Sequence, residues 1–232
     1  MKSKTINIEK VYSLSDSIDK EEGKVAYHRY NEMLKNVANY HGFGFCPTVA
    51  AFVALSPNND YMGNIRSLVS IMVGIKKKIP PNKIIVSTYN QCKNRAIEFL
   101  IGDRDFLAET SGPKTRNFYL NILLPKDPKY ITLDGHMCSI YSGRRYRMKE
   151  VAELKLVSSP KRYDEMAEVF FKVARKHKLL PNQLQAILWF TWKRTERIVF
   201  SPQLLLWGAG NHWNIIRDPS LIQPFQPKGD QK

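Results

Sequence analysis

Apolar residues recur at helical spacing from residue 26 to residue 192, and prolines and glycines cut that pattern into short lengths. This combination restricts the chain to a fold built from many short helices. Ala26, Tyr30, Met33, Leu34, Val37 and Ala38 fall on one helical face, and Gly42 and Gly44 stop the helix. Pro47 opens an apolar helix through Leu55, closed by the turn-forming run Ser56-Pro57-Asn58-Asn59-Asp60. Ile65, Leu68, Val69, Met72 and Val73 mark the next helix, closed by Gly74. Pro80-Pro81 break the chain before a short helix around residues 84–86. A further helix covers residues 90–100, with Cys92, Ala96, Ile97 and Leu100 inward. Brief helical character at 105–109 leads to a helix over 114–124, which Pro125-Lys126-Asp127-Pro128 ends. Residues 129–133 read as extended, with a helix from about Gly135 after them. Two longer helices, 163–176 and 181–197, complete the pattern. The second is apolar almost all round and is expected to be central. Residues 1–23 mix acids with bases and are expected to be loosely ordered, and the tail from Ser201 to be irregular. No repeat is present, and the fold class is all-α.

Charge narrows the partners. Thirty-six Lys and Arg against 21 acids give a net charge of +15, which suits a polyanion, most commonly nucleic acid. The longest apolar stretch, residues 49–55, is too short to cross a bilayer, and the first 24 residues lack the apolar centre of a signal peptide. A soluble protein retained inside the cell is expected, cytoplasmic or nucleoid-associated, or within a host cell if viral. Cys46, Cys92 and Cys138 form no CxxC pair, which argues against a disulfide framework and excludes a four-cysteine cluster within this chain. The histidines are scattered without ligand spacing, so neither a metal nor another cofactor is expected.

The segment richest in chemistry is Ser111-Gly112-Pro113-Lys114-Thr115, followed by Leu120-Asn121 and then Thr132-Leu133-Asp134-Gly135-His136. A glycine-containing turn before a helix directs backbone N–H groups outward, where they can hold a DNA phosphate without reading bases. A helix over 114–124 is about 15 Å long at ~1.5 Å per residue. The extended residues after it can reach back about 30 Å, so Asp134 is able to return to the neighbourhood of Lys114. Two readings stand on these residues alone. In one, Asp134 stabilises positive charge developing on a deoxyribose while Lys114 attacks the sugar carbon. In the other, Lys114 only touches phosphate and Asp134 only caps the helix that begins at Gly135. Arg144 and Arg145 follow the aspartate closely, where they either contact phosphates or are simply solvated. His136 reads as a helix-start or core residue rather than a base.

Gly112-Pro113-Lys114-Thr115, Leu120-Asn121 and Leu133-Asp134-Gly135-His136 resemble the helix-hairpin-helix DNA glycosylases of the endonuclease III type. Tyr89-Asn90-Gln91-Cys92-Lys93-Asn94-Arg95-Ala96 and Leu55-Ser56 with Asp60 and Asn64 resemble earlier blocks of the same family, in the same order. The resemblance implies a two-lobed helical fold with duplex DNA in the cleft between the lobes. One lobe would run from 47 to 125; the other would join 24–46 to 126–200. It implies Lys114 as a Schiff-base lysine and Asp134 as the essential aspartate of a base-excising enzyme with lyase activity. Thr110, Ser111, Gly112 and Thr115 would belong to the phosphate-binding hairpin, and Asn58 and Asn59 would lie where a wedge fills the space of a flipped base. The implied partner is double-stranded DNA carrying a damaged or modified base, bound by a monomer. Two features depart from the family pattern: Ala108-Glu109-Thr110-Ser111-Gly112 has one hairpin glycine instead of two, and the C-terminal cluster cysteines are absent. A non-catalytic DNA-binding module is the alternative, and an RNA-associated basic protein a weaker one.

Overall fold

The computed structural model describes residues 2–102, 104–110, 112–195 and 218–226. Among them all regular structure is helical and there is no strand. The helices are α1 (Lys2–Ser13), α2 (Ser17–His41), α3 (Phe45–Ala54), α4 (Tyr61–Lys76), α5 (Asn90–Ile101), α6 (Phe106–Glu109), α7 (Pro113–Leu123), α8 (Gly135–Ser142), α9 (Met148–Glu153), α10 (Pro160–Lys176) and α11 (Pro181–Thr195). Single 3₁₀ turns occupy Pro81–Lys83 and Pro219–Leu221. The chain divides into two compact units, residues 1–31 with 110–210 and residues 32–109 with 211–232. No helix among the described residues is long and apolar enough to cross a membrane.

The first unit is organised on α8, α10 and α11, with α1 packed against all three. Ordering of α1 corrects the expectation of a loose N-terminus. Ile8 is fully buried and Val11 nearly so, both in the same apolar cluster as Leu133, Met137, Phe170 and Leu188. Ile8, Val11 and Tyr12 share one helical face between flanking charges, and that narrow stripe is enough to dock the helix. The buried face of α10 carries Tyr163, Met166, Val169, Phe170 and Val173. On α11, Leu184, Ile187 and Leu188 are buried, while Trp189, Phe190 and Trp192 are only half-buried. Buried Asp19 of α2 ties that helix to α11 through Thr191 Oγ1 (3.1 Å) and the Arg194 guanidinium.

The second unit is built from α3, α4 and α5, which pack on one another. Asn64 on α4 donates to the Phe52 carbonyl of α3 at 3.1 Å. Asp60 caps α4 by accepting from the Gly63 N–H. Helix α4 runs past Gly74 to Lys76, so Gly74 does not close it. Its missing side chain instead admits Ile84, whose Cδ1 would lie 2.5 Å from a Cβ at that position. Residues 84–86 are not helical, contrary to expectation; the single turn sits at Pro81–Lys83. Ile84 is instead held by its carbonyl, which accepts from buried Lys93 Nζ at 3.1 Å. Within the described part of the tail, the Phe225 N–H donates to Ser70 Oγ (2.8 Å) and Arg66 stacks over the Phe225 ring.

Candidate functional site

The approach to Asp134 is an extended segment held rigidly from both sides. Ile131, Thr132 and Leu133 are buried. Tyr163 Oη donates to the Ile131 carbonyl (2.6 Å) and accepts from the Leu133 N–H (2.9 Å). Asn121 Nδ2, from α7, donates to Thr132 Oγ1 at 2.9 Å. Asn121 is fully buried and its Oδ1 has no partner among the described residues. The helix that begins with Pro113 and Lys114 is therefore stitched to the segment that ends in Asp134.

Asp134 is the N-cap of α8, with extended backbone; its Oδ1 accepts from the His136 N–H (2.9 Å) and the Met137 N–H (3.0 Å). Two of the first unpaired N–H groups of the helix are thereby satisfied. Oδ2 takes no hydrogen bond from the described residues. Lys114 stands half-buried in the first turn of α7. Among the described residues it forms no ion pair, so it does not contact Asp134 directly. Both charges nevertheless act on His136. His136 is held below the ordinary imidazole value by burial, with Lys193, Arg145 and Lys114 pushing the same way and Asp134 opposing them. Burial, then the Asp134 charge, pushes the Cys138 thiol up to about 12, against a smaller opposing effect of Lys114. That thiol is no nucleophile at neutral pH.

Lys193, which the sequence pattern did not single out, completes the group. It is half-buried in the last turn of α11, its Nζ 5.2 Å from the centre of the Trp189 ring. Burial holds its ammonium below the ordinary lysine range, with Arg145 acting in the same direction and Asp134 against it. Trp189 and Lys193 lie one helical turn apart, the spacing that lets a cation–π pair form. The influence of Asp134 on Lys193 depends on α8 and α11 packing together, which no local pattern announces.

The remaining candidate residues fall in varied surroundings. Gly112 caps α7 with φ −72° and ψ 122°, a conformation open to any residue, and a Cβ there would meet only Thr115 Oγ1 at 3.9 Å. Buried Thr110 turns its carbonyl to Arg116 Nη1 at 2.9 Å. Ser111 lies outside the described residues, and Thr115 is half-buried. Arg144 is exposed but pairs with Glu150 (3.0 Å) and stacks on Tyr146. Arg145 is exposed. Asn58 and Asn59 belong to the second unit. Asn58 is exposed at φ 50°, and Asn59 is engaged at both ends of its amide, by Ser87 Oγ (2.7 Å) and the Leu55 carbonyl (3.2 Å). No group of three His, Cys, Asp or Glu side chains able to hold a metal occurs among the described residues.

A family of unknown function, DUF7178, matches residues 1–196. The chain belongs to that family. No curated protein and no solved structure matches this DUF7178 chain. Its site chemistry is therefore read from its own residues: one carboxylate, two amines, a guanidinium and an imidazole gathered from α7, α8, α11 and the loop after α8.

Burial also sets how this DUF7178 protein responds to acid. His28, His41 and His136 are each held below the ordinary value of 6.5, by burial first and then by neighbouring cations. A depressed histidine binds fewer protons folded than unfolded. Its contribution to stability is thus complete above the unfolded value and lost as pH falls through the folded one. The thermal midpoint is expected to be level above about pH 7 and to fall between about pH 6.5 and 5. A calorimetric pH series with a constant or rising midpoint over that interval contradicts this.

Proposed function

We propose that this protein excises bases from double-stranded DNA, with Asp134 as the carboxylate that stabilises the developing sugar cation. Lys114 is the amine that the glycosylase resemblance assigns to subsequent strand cleavage. The observation that carries the reading is electrostatic: the charges of Asp134, Lys114, Lys193 and Arg145 all act on His136, and all belong to one compact unit. A carboxylate whose Oδ2 takes no hydrogen bond from the described residues, acting with cations on one imidazole, has the charge pattern needed to face an electron-poor sugar between two phosphates. Stabilisation of this kind acts most strongly where water is excluded. The net charge of +15 supports a polyanionic partner. The two-lobed helix-hairpin-helix arrangement, binding as a monomer and residence inside a cell belong to the same proposal.

The non-catalytic DNA-binding alternative has one observation in its favour: Asp134 Oδ1 already serves as a helix cap. Base release separates the two. The purified protein is incubated with duplexes that each carry one deaminated, alkylated or oxidised base, with free base measured by mass spectrometry and RNA present as competitor. Release from at least one duplex, undiminished by RNA, is the expected result. Binding to duplex DNA without release from any of them favours the binding module, and loss of binding to RNA competitor overturns DNA as the partner.

A further inference from the structure

Between Asp60 and Glu98 the sequence holds seven Lys and Arg and no acid. Four of these cations lie on one loop of the second unit. Helix α4 ends with the Lys78 N–H donating to the Ile75 carbonyl (3.1 Å) and the Ile79 N–H to the Gly74 carbonyl (2.8 Å). The chain then passes through the 3₁₀ turn Pro81–Lys83 and returns to its starting point. Ile84 packs into the space that Gly74 leaves, and its carbonyl accepts from Lys93 Nζ. Residues 74–84 thus form a loop pinned on Gly74 from both sides. Lys76, Lys77, Lys78 and Lys83 are exposed on it, and among the described residues none of them forms an ion pair. Several exposed cations elsewhere are matched, Arg104 by Glu98 and Glu109, Arg144 by Glu150 and Lys176 by Glu9.

A helix C-terminus attracts cations by itself. That accounts for Lys76, Lys77 and Lys78, but not for Lys83, which lies beyond the helix, nor for the lack of acids over the whole stretch. An anionic bilayer also attracts lysines, but stable attachment there takes apolar side chains or a lipid beside the charge. The loop offers little of the kind: Ile84 is buried, and Ile79 and Ile85 are 37% and 38% exposed. A nucleic-acid backbone asks only for unpaired ammonium groups held in place. We propose that the Lys76–Lys83 loop of the second unit contacts the phosphate backbone of duplex DNA, without reading bases. The proposal rests on DNA as the partner and not on base excision, since Asp134 and the residues around it take no part.

The experiment measures binding of the full chain to an unmodified DNA duplex across a salt series. Each phosphate neutralised steepens the fall of log affinity with log salt by about 0.9. Wild type is compared with the triple variant Lys77→Gln/Lys78→Gln/Lys83→Gln. The control is Lys155→Gln/Lys161→Gln/Lys178→Gln, which removes the same charge from exposed positions of the first unit. Lys155 and Lys178 share the left-handed backbone of Lys78 (φ 49°, 55° and 53°), so the two variants also carry similar backbone demands. Thermal midpoints confirm that both are folded. The expected result is a slope shallower by about 2–3 in the loop variant and close to wild type in the control. An equal loss in both variants, or an unchanged slope in the loop variant, overturns the proposal. Loss of binding to phosphatidylserine vesicles with DNA binding unchanged overturns it in favour of a membrane surface. Duplex RNA that competes better than duplex DNA overturns DNA as the occupant. A shallower slope in the loop variant, with no base released from any modified duplex by wild type, supports the loop contact and removes base excision. Wild type that does not bind duplex DNA overturns both.

Discussion

Tyr163→Phe is expected to lower stability by about 3 kcal/mol, since it leaves two buried backbone groups without partners at about 1–3 kcal/mol each. The phenol oxygen links the Ile131 carbonyl and the Leu133 N–H, and Tyr163 is 2% exposed, so water does not replace it. The ring itself is retained, so loss of packing is a minor part of the effect. For a chain of this size each kcal/mol moves the thermal midpoint by about 2–4 °C, which puts the expected fall near 6–12 °C. Differential scanning calorimetry measures it, and a change under about 2 °C would mean that the clamp is not needed. The same substitution loosens the segment that presents Asp134, so any base release should fall further than global unfolding accounts for. Hydrogen exchange at Leu133, faster than at its α8 neighbours, would locate the loosening.

Gly23→Ala pits two effects of opposite sign. Within an exposed helix this change gains up to about 1 kcal/mol, because alanine restricts the unfolded chain and favours the helix. In α2, however, the new Cβ would lie 2.4 Å from Ile187 Cγ1 and 2.5 Å from the Ile187 backbone nitrogen on α11. A side-chain tip can rotate away, but a backbone nitrogen inside a packed helix cannot. The two helices must therefore separate, and overpacking of this kind costs about 1–3 kcal/mol, sometimes more. The clash wins, and net destabilisation of about 2 kcal/mol is expected by urea denaturation. An alanine variant as stable as wild type would show that α2 and α11 have room to part.

Much of the helical pattern was legible because it depends on local spacing. The 3.6-residue stripes of α5, α10 and α11 give both the elements and their buried faces. Asp134 before Gly135 is a cap signal that needs no tertiary information. What escaped detection depends on neighbours distant in sequence. Helix α1 carries too few apolar residues to announce itself and is ordered by the core it joins. Helix α9 buries only Val151 and is held at its start by Glu150, which accepts from the Arg147 N–H. Gly74 looks like a stop in the sequence because its actual task, admitting Ile84, involves a residue beyond the end of its own helix.

The candidate site divides along the same line. Asp134 and Lys114 were visible as an ordered pair of motifs, and Asn121 with Thr132 explains why their elements are joined. Lys193 was invisible, since a lysine in the last turn of a Trp-rich helix reads as a solvated end. The hairpin glycine shows the opposite case. Gly112 was read as part of a turn that directs N–H groups outward, and its φ of −72° is one that any residue adopts. The physical demand at that turn is therefore weaker than the residue type implied.

The most direct test of the central claim compares base release by wild type and Asp134→Asn on the same modified duplex. Asparagine caps helices as well as aspartate does, so the thermal midpoint should hold while the negative charge is lost. The account predicts a fall in the release rate of about 10²–10³, the usual effect of removing one electrostatic stabiliser of a transition state. An Asp134→Asn protein that releases base at the wild-type rate contradicts it.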